Sequence, residues 1–257
     1  MSDPFSQAAF DVRFDWGPVG AAAARADVSV VVDVLSFSTS VCVAVERGMR
    51  VYPYRWRDEG AEAFARAHDA VLAVGRLEAG RGGPTAPVPS LSPAGLLECA
   101  PVARLVLPSP NGSTIAAALQ RSGAEVAVGC LRNAGAVAAW LAPALEAGRS
   151  VAVVAAGERW HQDDSLRPAL EDQLGGGAVI RSLARLVPGA AISPEARAAA
   201  DLFAAARKDL EARLHACASG RELAAQGFAA DVTAASALDA SPVVPVLADD
   251  GGFLPSS

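Results

Sequence analysis

The sequence predicts an α/β fold: three layers, α/β/α, around a mostly parallel or mixed central sheet. Three observations carry this. Short valine-rich runs, apolar on both faces, recur through the first 157 residues; strands of that kind are covered on both sides, as in parallel sheets. Helix-like stretches separate most of them, and strand–helix alternation is the pattern of crossover connections. Hydrophobic residues make up 52% of the 257, which supplies a sizeable core and argues against disorder.

The elements follow in order. VSVVVDV (28–34) is the first strong strand, with a helix over about 38–47. RVYPY (50–54) precedes a helix over 58–68, and AVLAVG (70–75) a helix over 92–99. RLVLPS (104–109) leads to a helix over 113–122, EVAVGC (125–130) to one over 133–147, and SVAVVAAG (150–157) to one over 168–186. The Gly- and Pro-rich GRGGPTAPVPSLSP (80–93) reads as a long functional loop. SPEARAAADLFAAARKDLEARLHAC has the start signal and apolar spacing of one long helix, with shorter helical pieces near 219–226 and 229–238. The expectation is one domain over 1–257 whose last third, about 194–240, is more helical. GGG at 175–177 follows no strand and fits close helix packing better than a nucleotide loop.

Formal net charge is −6, which disfavours nucleic acid and anionic membranes as general partners. A small anionic substrate would need a local positive site. No run of about 18 uncharged apolar residues occurs, so no membrane span is expected. The opening MSDPFSQAAFDVRFDWG lacks the basic-then-apolar order of a signal peptide, and a cytoplasmic protein is the default expectation. Cys42, Cys99, Cys130 and Cys217 form no CxxC pair and read as small core residues. His68, His161 and His215 form no ligand pair.

In open α/β sheets ligands sit beyond the carboxyl ends of the strands, so the polar residues after each strand are the informative ones. Four junctions stand out. Asp33 ends the first strand, and Ser36, Ser38, Thr39 and Ser40 open the next helix, where free N–H groups favour anions. LPSPNGSTIAAAL (107–119) places Asn111, Gly112, Ser113 and Thr114 at a second junction. Arg132 and Asn133 stand at a third, and Gly157, Glu158 and Arg159, then Asp163, Asp164, Glu171 and Asp172, at a fourth. Helix caps, turns and a solvated helix face explain each junction singly. Together, acids with hydroxyls and amides suit Mg²⁺, and arginines with helix N-termini suit a phosphate.

Across these junctions the chain resembles the 2-phosphosulfolactate phosphatase family. DVLSFST (33–39) is similar to the family's "DVLRAT" segment, SPNGS (109–113) to its "TTNGT" segment, and GCLRNAGAVA (129–138) to its glycine-to-asparagine segment. AAGERWHQDDSLRPALEDQLGGGAVI (155–180) and GFAADVTAASALDASPVVPVL (227–247) continue the resemblance in order. Three departures stand out: Ser36 replaces the family's Arg, Arg76 stands where a Glu is usual, with Glu78 the nearest acid, and Leu91 replaces an Asn.

The resemblance implies Mg²⁺-dependent hydrolysis of a small acidic phosphate monoester, nominally 2-phosphosulfolactate. Asp33, Glu171 and Asp172 would hold the metal directly or through water, or orient the attacking water. Asn111, Ser113 and Asn133 would position phosphate oxygens, and Ser38, Thr39 and Gly112 would meet the anion at helix starts. Arg132 or Arg159 would neutralise a carboxylate or sulfonate. The competing reading is a protein of the same fold that binds a phosphorylated or sulfonated metabolite without turning it over. A homodimer is the default assembly.

Overall fold

In a computed structural model, which describes residues 3–56, 58–76 and 88–256, strands and helices alternate through most of the chain. The strands are β1 (Val12–Trp16), β2 (Val28–Val32), β3 (Arg50–Tyr54), β4 (Val71–Leu72), β5 (Arg104–Pro108), β6 (Glu125–Gly129) and β7 (Val151–Ala155). The short pairs β8 (Glu158–Arg159) with β9 (Leu166–Arg167), and β10 (Pro245–Leu247) with β11 (Phe253–Pro255), complete them. The helices are α1 (Gly17–Ala23), α2 (Phe37–Glu46), α3 (Glu59–Ala67), α4 (Pro93–Glu98), α5 (Gly112–Arg121) and α6 (Ala134–Glu146). They continue with α7 (Leu170–Leu186), α8 (Pro194–Ala206), α9 (Leu210–Ala216), α10 (Ala218–Ala225) and α11 (Ala229–Ser236).

Among the described residues the main sheet has nine strands in the order β1-β7-β2-β6-β10-β11-β3-β5-β4. Its faces are set by the two-residue period of the strands. Val28, Val30 and Val32 of β2 and Val151, Val153 and Ala155 of β7 join one core with Leu141 of α6, Leu174 and Ile180 of α7 and Phe203 of α8. Val31, Ala152, Val154, Val126 and Val128 join the other core with Phe37, Val41, Ile115 and Leu119 of α2 and α5. Helices therefore cover both faces, as a sequence apolar on both faces requires. None of the helices among the described residues is long and apolar enough to cross a membrane.

The sheet is mixed in a specific way. β1, β7, β2 and β6 are mutually parallel, and so are β3, β5 and β4. The β10–β11 hairpin joins the two blocks through three antiparallel pairings, so the blocks run in opposite senses. A flat sheet would put the ends of β2 and β5 on opposite edges. They nevertheless meet, because the accumulated twist of a wide sheet curls it. The curl wraps around α2, where every residue from Phe37 to Val45 is buried. A helix buried all round reads as apolar all round, and FSTSVCVAVE does so except for its three hydroxyls and the half-buried Glu46 that ends it.

Several expectations change. β1 and α1 were not anticipated: Val12, Phe14 and Trp16 alternate with Arg13 and Asp15, the pattern of an edge strand rather than of a continuous apolar run. The strand expected over 70–75 contracts to β4, followed by a bridge from Val74 to Ser90. The single long helix breaks at a 3₁₀ turn, Arg207–Asp209, into α8 and α9. Phe203, Ala206, Leu210 and Leu214 stay buried across the break, so apolar spacing carries no trace of it. Its start signal is sound: Ser193 accepts from the Ala196 N–H at 3.1 Å, with Pro194 in the first turn. SPVVPVLADDGGF forms the joining hairpin. Residues 80–87 of the expected loop, and Glu78, lie outside the described residues.

Gly175, Gly176 and Gly177 do pack closely. A Cβ on Gly175 would crowd Val34 and Val32, and one on Gly176 would crowd Phe14. A Cβ on Gly177 would run into the Ala199 carbonyl of α8, which is backbone and cannot turn aside. Gly177→Ala is expected to destabilise the fold by about 1–3 kcal/mol, the usual cost of overpacking, despite its better helix propensity. Urea unfolding measures it; a variant as stable as the parent would mean that α7 and α8 separate freely.

Candidate active site

The site begins at the end of β2. Asp33 is buried, and one carboxylate oxygen accepts the Phe37 N–H at 3.0 Å while the other accepts the Gly112 N–H at 3.2 Å. The N-termini of α2 and α5 thus converge on one acid, and their free N–H groups and dipoles favour negative charge there. Position 112 has no room for a side chain, because a Cβ would overlap the Phe37 ring. The close approach that delivers this N–H requires glycine.

Asp172, in the first turn of α7, is tied to the same edge. Its oxygens accept the Val34 N–H at 2.7 Å and the Gly157 N–H at 2.8 Å, clamping the chain just beyond β2 and β7. Glu171 beside it is 2% exposed. Glu158, directly after the clamped Gly157 and three residues beyond the end of β7 at Ala155, accepts from the Asn111 side-chain amide at 3.3 Å. The acids repel one another. Burial pushes the Asp33 carboxyl up to about 6, with Glu171 adding to the rise and the two N–H groups and Arg76 opposing it. Burial likewise pushes Glu158 up to about 8, aided by the charges of Asp33, Glu171 and Glu222. Asp172 is raised by burial, then by Asp33 and Glu171.

Arg76 faces this cluster from the chain following β4. Its Nε donates to Asp231 of α11 at 3.1 Å and an Nη donates to the Ser36 hydroxyl. Burial lowers its pKa, while Asp231, Asp33 and Glu158 hold it up. Asp231 also accepts from the Ser92 hydroxyl and from the Ala94 N–H at 3.1 Å. Glu158 then opens outward. A cleft of about 410 Å³ is lined by Glu158, Arg159, Trp160 and His161, by Arg167, and across from them by Ala218, Ser219 and Glu222.

The structure therefore gathers Asp33, Asn111, Gly112, Glu171 and Asp172, as the junctions implied. The remaining candidates hold the fold. Ser38 accepts from the Asp33 N–H and donates to the Val31 carbonyl, and Thr39 donates to the Val34 carbonyl at 2.7 Å. Ser113 donates to the Ser109 carbonyl. Asn133 accepts from the Cys130 N–H and donates to the Val128 and Val243 carbonyls, fastening β6 to the chain before β10. Arg132 reaches the Ala234 carbonyl and Glu46. Arg159 sits on the cleft but pairs with Asp164 at 3.0 Å. Sequence reasoning gave no role to Glu158, Asp231 or Ser92. The signal for Glu158 was its place immediately after the glycine at a strand end.

The donor chemistry fits Mg²⁺. Crowded carboxylates whose charges oppose one another gain by sharing a cation, and Mg²⁺ takes oxygen ligands while keeping much of its water. Among the described residues no three His, Cys, Asp or Glu side chains stand together as a direct metal cage. A magnesium ion here would rest on one or two carboxylates, water and the substrate, which is its usual habit.

An α/β sheet with helix N-termini, buried acids and one guanidinium gathered at a strand end defines a protein built to handle a small anion. The model of the family described as 2-phosphosulpholactate phosphatase matches residues 19–250, and the chain belongs to that family. No curated protein matches the chain.

The raised carboxyls make a pH prediction. At low pH each is protonated in both folded and unfolded chain and contributes nothing. As pH rises past the ordinary carboxylate range, the unfolded chain ionises first and stability is lost, until the folded group ionises near 6 for Asp33 and near 8 for Glu158. Glu158→Gln removes its share of that loss. Its melting temperature should fall less than the parent's between about pH 5 and 8. Parallel profiles would mean that Glu158 ionises normally.

Proposed function

We propose that the protein hydrolyses a small acidic phosphate monoester, nominally 2-phosphosulfolactate, to the alcohol and phosphate with Mg²⁺. The observation that carries this reading is the meeting of two helix N-termini and Asn111 with Asp33, Glu171 and Glu158 beside an open cleft. Family membership supports the reaction class.

The reaction moves a phosphoryl group from an alkoxide to water, so the chain must hold the phosphate, aim the water and protonate the leaving oxygen. Asn111 and the helix starts orient the phosphate oxygens. Asp33 orients the water and accepts its proton. Glu158, which lies between Asn111 and the cleft and holds its proton near neutrality, gives that proton to the leaving alkoxide. Asp33, Glu171 and Asp172 would hold Mg²⁺ directly or through water, the water-mediated contact suiting Asp33 and Asp172, whose oxygens already accept N–H groups. When bound, the ion would neutralise charge on the phosphate oxygens. The cleft beside Glu158 takes the organic part, with Arg159 and Arg167 near its second anionic group.

Phosphate release from 2-phosphosulfolactate should require Mg²⁺ and stop with chelator. Asp33→Asn should lower kcat by about a hundredfold or more, with an unchanged melting profile at low pH. Unchanged turnover would remove Asp33 from the chemistry. Glu158→Gln should slow alkyl monoesters much more than p-nitrophenyl phosphate, whose leaving group needs no proton; equal slowing would deny Glu158 the acid's role. The departures at Ser36 and Arg76 favour the second reading, a binding protein. Stabilisation by the monoester without any turnover would establish it.

A further inference from the structure

Arg76 and Ser36 are two positions where the chain departs from its family's motif, and they touch. The Arg76 guanidinium donates to the Ser36 hydroxyl and to Asp231. Its side chain is 18% exposed, so it is largely withdrawn from water. Two acids of the cluster, Asp33 and Glu158, act on it electrostatically, and Arg76 in turn is the cation that acts on Asp33. Position 36 lies immediately before α2, whose first N–H meets Asp33. An arginine at either position would bring a guanidinium to the same space, and the small Ser36 side chain leaves that space to Arg76.

Asp231 fixes the geometry. It is 1% exposed and receives the Ser92 hydroxyl, the Ala94 N–H and Arg76 together. Thus α11, the start of α4 and the end of the β4 segment hold one guanidinium in a set orientation. Among the described residues its hydrogen-bond partners are one carboxylate and one neutral hydroxyl, which leave a planar, five-donor group able to take a further anion. The N–H groups at the starts of α2 and α5 meet the two oxygens of Asp33.

We infer that Arg76 is the phosphate-binding cation of this site, and that Ser36 and Arg76 are a coupled exchange that moved the guanidinium from position 36 to position 76. The turnover readout rests on the phosphatase reading; the binding readout does not. Binding of inorganic phosphate is measured by calorimetry and by thermal shift for the parent, Arg76→Gln, Arg76→Lys, Arg76→Glu, Ser36→Arg and the double variant Ser36→Arg/Arg76→Glu.

Arg76→Gln should weaken phosphate at least about tenfold, as loss of a charge-assisted pair does. It should still fold, because Asp231 keeps two donors. Arg76→Lys should recover part of the loss, since a point charge replaces a fork. The double variant should bind phosphate more tightly than Arg76→Gln and melt higher than the sum of the single effects predicts. Phosphate affinity in Arg76→Gln within about twofold of the parent, failure of the parent to bind phosphate, or strict additivity in the double variant would each overturn the inference. Phosphate binding that depends on Arg76, with no turnover of any monoester, would retire the phosphatase reading and leave this one standing.

Discussion

The Asp33 carboxylate is the point on which the rest depends. It ends β2 and receives the first N–H of α2 and the first N–H of α5. Those helices belong to opposed blocks of the sheet, so this one acid joins the ends of strands that hydrogen-bonding order alone would send to different edges. The contact ties the two blocks together beside α2, which packs against β6, β10, β11 and β3 and is buried from Phe37 to Val45. It also demands glycine at 112, since nothing larger fits between the α5 start and Phe37. One interaction therefore links topology, packing and site.

Holding such an acid has an electrostatic consequence. Asp33, Glu158 and Asp172 sit where burial raises the pKa of each carboxyl, and the charge of Glu171 adds to the rise in all three. The fold answers unequally. Asp172 receives two backbone N–H groups and becomes a clamp. Asp33 receives two helix starts. Glu158 receives, among the described residues, the Asn111 amide, and it lines the cleft. Environments that push similar groups apart are how one site obtains both a proton donor and an acceptor. The charge of Arg76 acts on Asp33 from the other direction and opposes the rise.

The fold class was legible because valine runs buried on both faces leave little choice of architecture. β1 was not, since its Arg13 and Asp15 break the apolar run and its alternation spans only five residues. The 3₁₀ break after α8 was invisible for a different reason: apolar residues continue through it in helical spacing. Nor could local pattern reveal that the two parallel blocks oppose each other, which is decided by a hairpin of three-residue strands near the chain's end. At the site, acids at strand ends were legible as acids. Which would be clamps and which would face the cleft depends on N–H groups supplied from residues 15 to 138 positions away.

The hydroxyls of SFSTS make the distinction between scaffold and chemistry concrete. Read as sequence, Ser38 and Thr39 look ready for an anion. In the fold they lie on a helix with no face toward water, where an unpaired hydroxyl would cost about 1–3 kcal/mol. Each finds a carbonyl in the preceding strand or turn: Ser38 the Val31 oxygen, Thr39 the Val34 oxygen. Asn133 does the same for β6 with all of its amide. These residues hold the backbone so that N–H groups, not side chains, point at Asp33. A motif of this kind marks where the main chain must be held still, while the proposed proton donor, Glu158, and the proposed phosphate cation, Arg76, come from other parts of the chain.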